Sequence, residues 1–299
     1  MIPSPPSDVS AILRRVRKIE LVTRGLVRET IGGEYHSSFK GQGIDFDDFR
    51  EYQPGDEVRS IDWNVTARQG APFIKKFSEE RELTVYLAID VSASGAFGSK
   101  DSSKREMAAE VAALLAFSAI KNQDKVGLAL FGSGVELYLP PRKGSRHILR
   151  IVREILTCQP KDPGTDLTPA LKLLVSAAPR RALVFMVSDF IAEGYENALK
   201  IAAIKHDLVA LQIQDPAETA LPNLGGRHLY SDAESGERIL FPTGSASARK
   251  AYADAAAQWQ DGLESTFRRH SIDHVRLRTG EDYTPALHAF FRGRSSRPV

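Results

Sequence analysis

A single cysteine, Cys158, in a chain of 299 residues excludes an internal disulfide and fits a reducing compartment. It follows Ile155 and Leu156 at the end of a helical pattern, so it reads as inert packing instead of a reactive thiol. No apolar run approaches the ~20 residues that span a bilayer. The first residues show no basic stretch followed by an apolar one. Neither an integral membrane segment nor a secretory leader is expected, and the predicted location is cytoplasmic. A net charge of +2 is too small to argue for nucleic acid, and the basic residues come without RNP-like aromatics or a helix-turn-helix pattern. Also missing are a G-x-x-x-x-G-K-[ST] loop, H-E-x-x-H, a zinc-binding cysteine pair and a G-x-S-x-G elbow. The seven histidines are scattered without metal-ligand spacing. These absences predict a protein that is not an enzyme.

What is present is an apolar, β-branched run from Leu83 that ends in Asp90, Ser92 and Ser94. Oxygen-bearing side chains at alternate positions past a buried strand point to one side if the chain stays extended. Hard oxygen ligands suit a hard cation such as Mg²⁺, and the C-terminal edge of a parallel sheet is where open α/β folds bind ligands. D-x-S-x-S alone fits equally a strand leaving through a polar loop. Two further segments fit the same place. A second apolar run, 182–187, ends in Ser188 and Asp189, and the loop 162–169 carries Gly164 and Thr165. Within that loop Thr168 is expected as the N-cap and Pro169 as the first helical residue.

This order of D-x-S-x-S, Thr and Asp resembles the metal-ion-dependent adhesion site of von Willebrand factor A domains. The resemblance implies that Asp90, Ser92, Ser94, Thr165 and Asp189 hold Mg²⁺ or Mn²⁺, directly or through water, with Asp166 and Thr168 as alternatives to Thr165. An open coordination position would accept a carboxylate from a partner. The loops 92–100, 164–168 and 190–194 would surround that contact, with Gly95, Asp166 and Phe190 facing the partner.

Strand and helix patterns alternate from residue 81 to about 277, predicting an α/β fold: a doubly wound, mostly parallel sheet with one antiparallel edge strand. A helix is expected over about 8–29, with Val16 and Ile19 on its apolar face and Arg14, Arg15, Arg17 and Arg24 on a solvated one. Ser103 and Glu106 predict a capping box, and residues 215–241 an irregular excursion with a hairpin turned at 234–237. The expected divisions are 1–80 for the N-terminal helix and a small subdomain, 81–292 for the sheet domain, and 293–299 for a disordered tail.

Residues 41–68 alternate aromatic and charged side chains around the turn at Pro54-Gly55. Arg50, Arg59 and Arg68 lie among Asp56, Asp62 and other carboxylates, so ion pairs that staple an aromatic cluster including Trp63 are expected. This block, running into the Asp90 segment, closely resembles the prokaryotic domain of unknown function 58 family. The likeness continues at Gly164–Leu167, Val187–Phe190 and Asp215-Pro-Ala-Glu218. A structural role for Arg50, Asp56, Arg59, Asp62, Trp63 and Arg68 is favoured over catalysis. The family resemblance implies association with a MoxR-type AAA+ ATPase, as an adaptor or co-chaperone maturing protein complexes around an unknown client protein. The alternative is a metal-dependent, phosphoesterase-like hydrolase on the same acidic edge, which needs a general base or a second metal near Asp90.

Overall fold

The structure, a computed structural model, describes residues 9–27, 34–35, 38–39, 45–78, 82–99 and 102–296. The chain divides into two units, Phe39–Glu82 and the remainder, Met1–Ser38 with Leu83–Val299. Helix α1 (Val9–Leu26) therefore groups with the sheet and not with the block 39–80, as the division at residue 80 would have it. Val16 and Ile19 bury its apolar face. Its basic face is only partly solvated: Arg15 pairs with Glu106 at 2.6 Å, and the Arg24 guanidinium lies 5.1 Å from the centre of the Phe117 ring.

In the smaller unit β1 (Asp45–Glu51) pairs antiparallel with β2 (Phe73–Ser78), and α2 (Trp63–Gln69) lies between them in sequence. Asp62 caps α2, accepting the N–H groups of Asn64 and Val65 at 2.9 and 3.2 Å. The helix stops at Gly70, whose φ of 76° is the left-handed conformation that side-chain-bearing residues rarely adopt. The sequence pattern showed no helix there, because seven residues give too little periodicity.

The larger unit continues with β3 (Thr84–Asp90), α3 (Lys104–Lys121), β4 (Lys125–Phe131), β5 (Val135–Arg142), α4 (Ser145–Thr157) and α5 (Leu167–Ala177). It goes on through β6 (Leu183–Ser188), α6 (Glu196–Lys205), β7 (Asp207–Gln214), the short turn α7 (Pro216–Thr219) and the hairpin β8 (His228–Ser231) and β9 (Arg238–Phe241). It closes with α8 (Ala246–Arg269), β10 (Asp273–Arg278) and α9 (Thr284–Ser295). The sheet order is β10-β7-β6-β3-β4-β5, all parallel except β5, which runs antiparallel on the edge. The α/β architecture expected from the alternating pattern is the one observed.

Burial on both faces explains why the central strands read as unbroken apolar runs. Tyr86 and Ala88 point with Phe131, Met186 and Val184 to the face covered by α5, α6 and α8, through Leu171, Leu199 and Phe267. Val85, Leu87 and Ile89 face the other way, where α3 packs. Helix α3 is buried nearly all round, which accounts for its many alanines. Its start is the predicted capping box of Ser103 and Glu106. From β3 the chain crosses to β4 on one side and then returns to β6 on the other. The ends of β3 and β6 therefore flank the switch point of the sheet, the crevice where such folds bind ligands.

Helix α9 runs to Ser295, three residues into the expected disordered tail. Arg294 is the reason, since it pairs with Asp273 at 2.5 Å and with Asp207, tying the last turn to the starts of β10 and β7. Residues 297–299 lie outside the described residues.

Candidate functional site

Asp90 is the last residue of β3, and its carboxylate is buried. Oδ1 accepts the Ser92 N–H at 2.9 Å, and Oδ2 accepts the Ser188 hydroxyl at 2.6 Å, which joins the ends of the two central strands. The Ser92 and Ser94 hydroxyls lie 3.0 Å apart, and Ser94 donates to Asp189 Oδ2 at 3.1 Å. Asp189 Oδ1 in turn accepts the Ile191 N–H at 3.0 Å. Four of the five predicted ligands thus gather at the switch point. Beside them a cavity of about 20 Å³ is lined by Asp90, Ser94, Gly95, Lys104, Ser188 and Asp189, among others. That is room for one water or one small ion.

The third loop arrives through backbone contacts. Ala93 N–H donates to Pro163 C=O at 3.0 Å, and Asp166 N–H donates to Gly132 C=O at 2.8 Å. Thr165 is brought to the neighbourhood, but its hydroxyl donates to Glu234 Oε1 at 2.7 Å, at the tip of the β8–β9 hairpin. A carboxylate from a distant part of the chain therefore sits on one predicted ligand.

Two basic residues hold the site from beneath. Arg105 donates to Val91 C=O and Ser92 C=O at 2.5 and 3.1 Å, and to Cys158 C=O at 2.9 Å, pinning the D-x-S-x-S loop by its backbone. Lys104 is only 4% exposed, and its ammonium bridges Asp189 Oδ2 at 2.6 Å and Glu218 Oε1 at 2.5 Å. Glu218 is fixed by α7, where its other oxygen accepts the Asp215 N–H at 2.8 Å. Asp215 accepts from Ser99 N–H and hydroxyl at 2.8 and 2.5 Å and from the Thr279 hydroxyl at 2.6 Å. The loop after β3 is thereby tied to the ends of β7 and β10.

The electrostatics follow from burial. Desolvation, aided by the nearby charge of Asp189, pushes the Asp90 carboxyl up to about 6. Burial works against the Lys104 ammonium, but Asp189 and Glu218 outweigh it and raise its pKa. Burial raises the Glu218 carboxyl against the pull of Lys104. Burial would raise Asp215 too, but the Ser99 and Thr279 hydrogen bonds prevail and hold it below the ordinary carboxylate range.

Several expected roles change. Asp166, not Thr168, is the N-cap of α5: its carboxylate accepts the Thr168 N–H at 2.8 Å, the helix begins at Leu167, and Pro169 lies inside the first turn. Asp166 is half-exposed and serves as this cap through one of its two carboxylate oxygens. Phe190 does not face a partner; it is fully buried and meets Phe267 edge-on at 5.1 Å, held by a φ of 63°. The next residue, Ile191, is exposed instead, as is Phe97 on the facing loop. Gly95 lines the cavity, within the 93–96 turn. In the smaller unit Arg50 and Asp56 form the expected bidentate pair at 2.8 and 2.7 Å, and Asp62 is a helix cap. Trp63, Arg59 and Arg68 are exposed, so the tryptophan does not build a buried cluster.

Sequence reasoning missed Lys104, Arg105, Ser188, Glu218 and Glu234 as parts of the site. The segment Asp215-Pro-Ala-Glu218 was a signal for two of these contacts, since Asp-Pro with Glu three residues on is a capping box waiting for a helix.

Among the described residues no three His, Cys, Asp or Glu side chains are grouped as a metal site. Two carboxylates with two hydroxyls form a different donor set, and it fits a hard divalent ion that keeps several waters. Asp90, Ser92, Ser94 and Asp189 would hold such an ion. Thr165 would join them on release from Glu234.

Comparison with known proteins places the chain among relatives that are themselves uncharacterized. The uncharacterized protein Rv1480 of Mycobacterium tuberculosis is 30% identical over 97% of this chain and 94% of its own length. The uncharacterized protein YeaD of Bacillus subtilis is 31% identical over 38% of this chain and 27% of its own length. Among solved structures, BatB from Bacteroides thetaiotaomicron overlaps 72% of this chain and all of its own, with a TM-score of 0.47 at 18% identity. The SpRpn10 VWA domain overlaps 73% of this chain and all of its own, with a TM-score of 0.39 at 11% identity. The fold assignment rests on the strand order itself. The family described as "Protein of unknown function DUF58" matches residues 48–262, from within β1 to within α8, and with most of its length so matched the chain belongs to that family.

Proposed function

We propose that this chain is a protein-interaction module whose contact is centred on a Mg²⁺ or Mn²⁺ ion held by Asp90, Ser92, Ser94 and Asp189. The supporting observation is the convergence of these oxygens, from the ends of two non-consecutive strands, beside a cavity of one-ion size at the sheet's switch point. Mg²⁺ commonly retains open or water-filled positions, and a partner carboxylate can take one. Exposed Phe97 and Ile191 on the loops flanking the ion supply apolar contact around it. The proposed partner is a MoxR-type AAA+ ATPase, with the chain serving as its adaptor toward a client protein.

Affinity capture of this chain from its native host, with and without EDTA, tests the reading. Capture of the ATPase should need the divalent ion and disappear in Asp90→Ala, yet survive neutralisation of the exposed Arg17 and Lys18 on α1. Capture that ignores EDTA and collapses with those α1 changes would make α1 the docking surface and overturn the proposal.

A second reading has one observation in its favour. Glu234 is a carboxylate at the site that the ligand set does not use, so it is available as the general base of a metal-dependent phosphoesterase. Mn²⁺-dependent hydrolysis of p-nitrophenyl phosphate that vanishes in Glu234→Gln would establish that reading; no turnover in the wild-type protein would remove it.

A further inference from the structure

Lys104 occupies an unfavourable place for a lysine. It is the first residue of α3, where the helix dipole repels a positive charge, and it is almost wholly buried, where desolvation opposes one. Packing alone would be served as well by an apolar side chain of similar volume. What keeps the ammonium there is its pair of carboxylates, Asp189 at 2.6 Å and Glu218 at 2.5 Å. One of these is a residue that would hold the divalent ion, and the other is not. Each carboxylate has its second oxygen held by a backbone N–H, Asp189 by that of Ile191 at 3.0 Å and Glu218 by that of Asp215 at 2.8 Å.

We propose that Lys104 is a resident cation of the site. Its ammonium shares Asp189 until a divalent ion arrives and then retreats onto Glu218, so this pair sets how tightly the ion is held. The proposal rests on the metal-centred reading above. The three carboxylates Asp90, Asp189 and Glu218 outnumber the two cations Lys104 and Arg105, so the ionised cluster keeps a net negative charge that a divalent ion offsets. Removing Lys104 leaves an excess negative charge and frees Asp189 for the ion. Removing the charge of Glu218 commits the ammonium to Asp189, in competition with the ion. The two substitutions must therefore act in opposite directions, although neither residue is a ligand.

The test is Mn²⁺ binding at neutral pH, read from the loss of the free-ion electron paramagnetic resonance signal in the wild-type protein, Lys104→Met, Glu218→Gln and the double variant. Lys104→Met should tighten binding and Glu218→Gln should weaken it, each by at least about tenfold, the scale of one unit charge about 6 Å from a divalent ion even at the dielectric of water. The double variant should return toward the wild type. Glu218→Gln keeps the side chain's size and one amide oxygen, enough for the lysine or for the Asp215 N–H but not for both, so it disturbs the cluster less than Lys104→Met and gives a reading even if that variant does not fold. Changes in the same direction, or no change in Glu218→Gln, would overturn the proposal. Binding by Lys104→Met alone would overturn it, because the ammonium of the wild-type protein would then not give way to an ion, while showing that the oxygen set itself can hold one. Absence of binding in every variant would reject both.

Discussion

The smaller unit and the switch-point site both contain arginine or lysine beside aspartate, and the two pairings mean different things. Arg50 and Asp56 meet in bidentate geometry but remain substantially exposed, at 42% and 21% for their side chains. Such pairs are screened by water and contribute little. Lys104 and Asp189 meet with side-chain exposures of 5% and 3%, where an unpaired charge is expensive. The smaller unit is a web of turns, caps and surface pairs, and Ile74 and Phe39 are its buried hydrophobic residues among those described. The larger unit sets its charged site at the end of central strands whose apolar side chains are fully buried. A long, distinctive charged motif therefore marks a family, and a short one at a strand end marks a site.

Breaking a pair in each unit makes the contrast measurable. Lys104→Met should lower stability by about 3–5 kcal/mol in urea unfolding, because Asp189 is left buried without its cation. A loss no larger than that of Arg50→Ala would erase the distinction. The pH dependence of Asp90 is the next effect in size. Its folded pKa, about 6, lies above the ordinary 3.8, so between these values the folded state binds more protons than the unfolded one. Stability contributed by this group is present below about pH 4 and is lost as pH rises to about 6, by about 3 kcal/mol at most. The stability difference between wild type and Asp90→Asn should fall across that window in chelator and stay flat with saturating Mg²⁺. A flat difference in both would mean that Asp90 is not poised as described.

Asp215→Ala should be milder, about 1–3 kcal/mol, because it leaves the Ser99 and Thr279 donors without their acceptor. It should also increase proteolytic cleavage within residues 92–99, and unchanged cleavage would show that Asp215 does not restrain that loop. Arg50→Ala should be the smallest, with no measurable change in the unfolding midpoint.

Legibility in the sequence followed how local each feature is. Strand β3 and its D-x-S-x-S exit could be read directly, because a strand buried on both faces leaves an unbroken apolar run that polar residues end abruptly. The capping box at Ser103 was legible for the same reason, all its partners lying within one turn. Lys104 was not, because its meaning comes from Asp189 and Glu218, 85 and 114 residues away. Glu234 reaches Thr165 across 69 residues through a hairpin whose placement no periodicity encodes. Phe190 misled because a residue beside a site aspartate can face either way, and its left-handed backbone turns the ring inward. Trp63 misled because aromatic alternation predicts a cluster only when a strand carries it, and here the residue opens a helix.

The central claim is that Asp90, Ser92, Ser94 and Asp189 hold one divalent ion, and calorimetric titration of the chelator-treated protein with Mg²⁺ and Mn²⁺ tests it most directly. One ion per chain, absent in Asp90→Ala and in Asp189→Ala while circular dichroism shows both variants folded, is the predicted result. Equal binding in the wild-type protein and the folded Asp90→Ala variant, or no binding by the wild-type protein at millimolar ion, would contradict it.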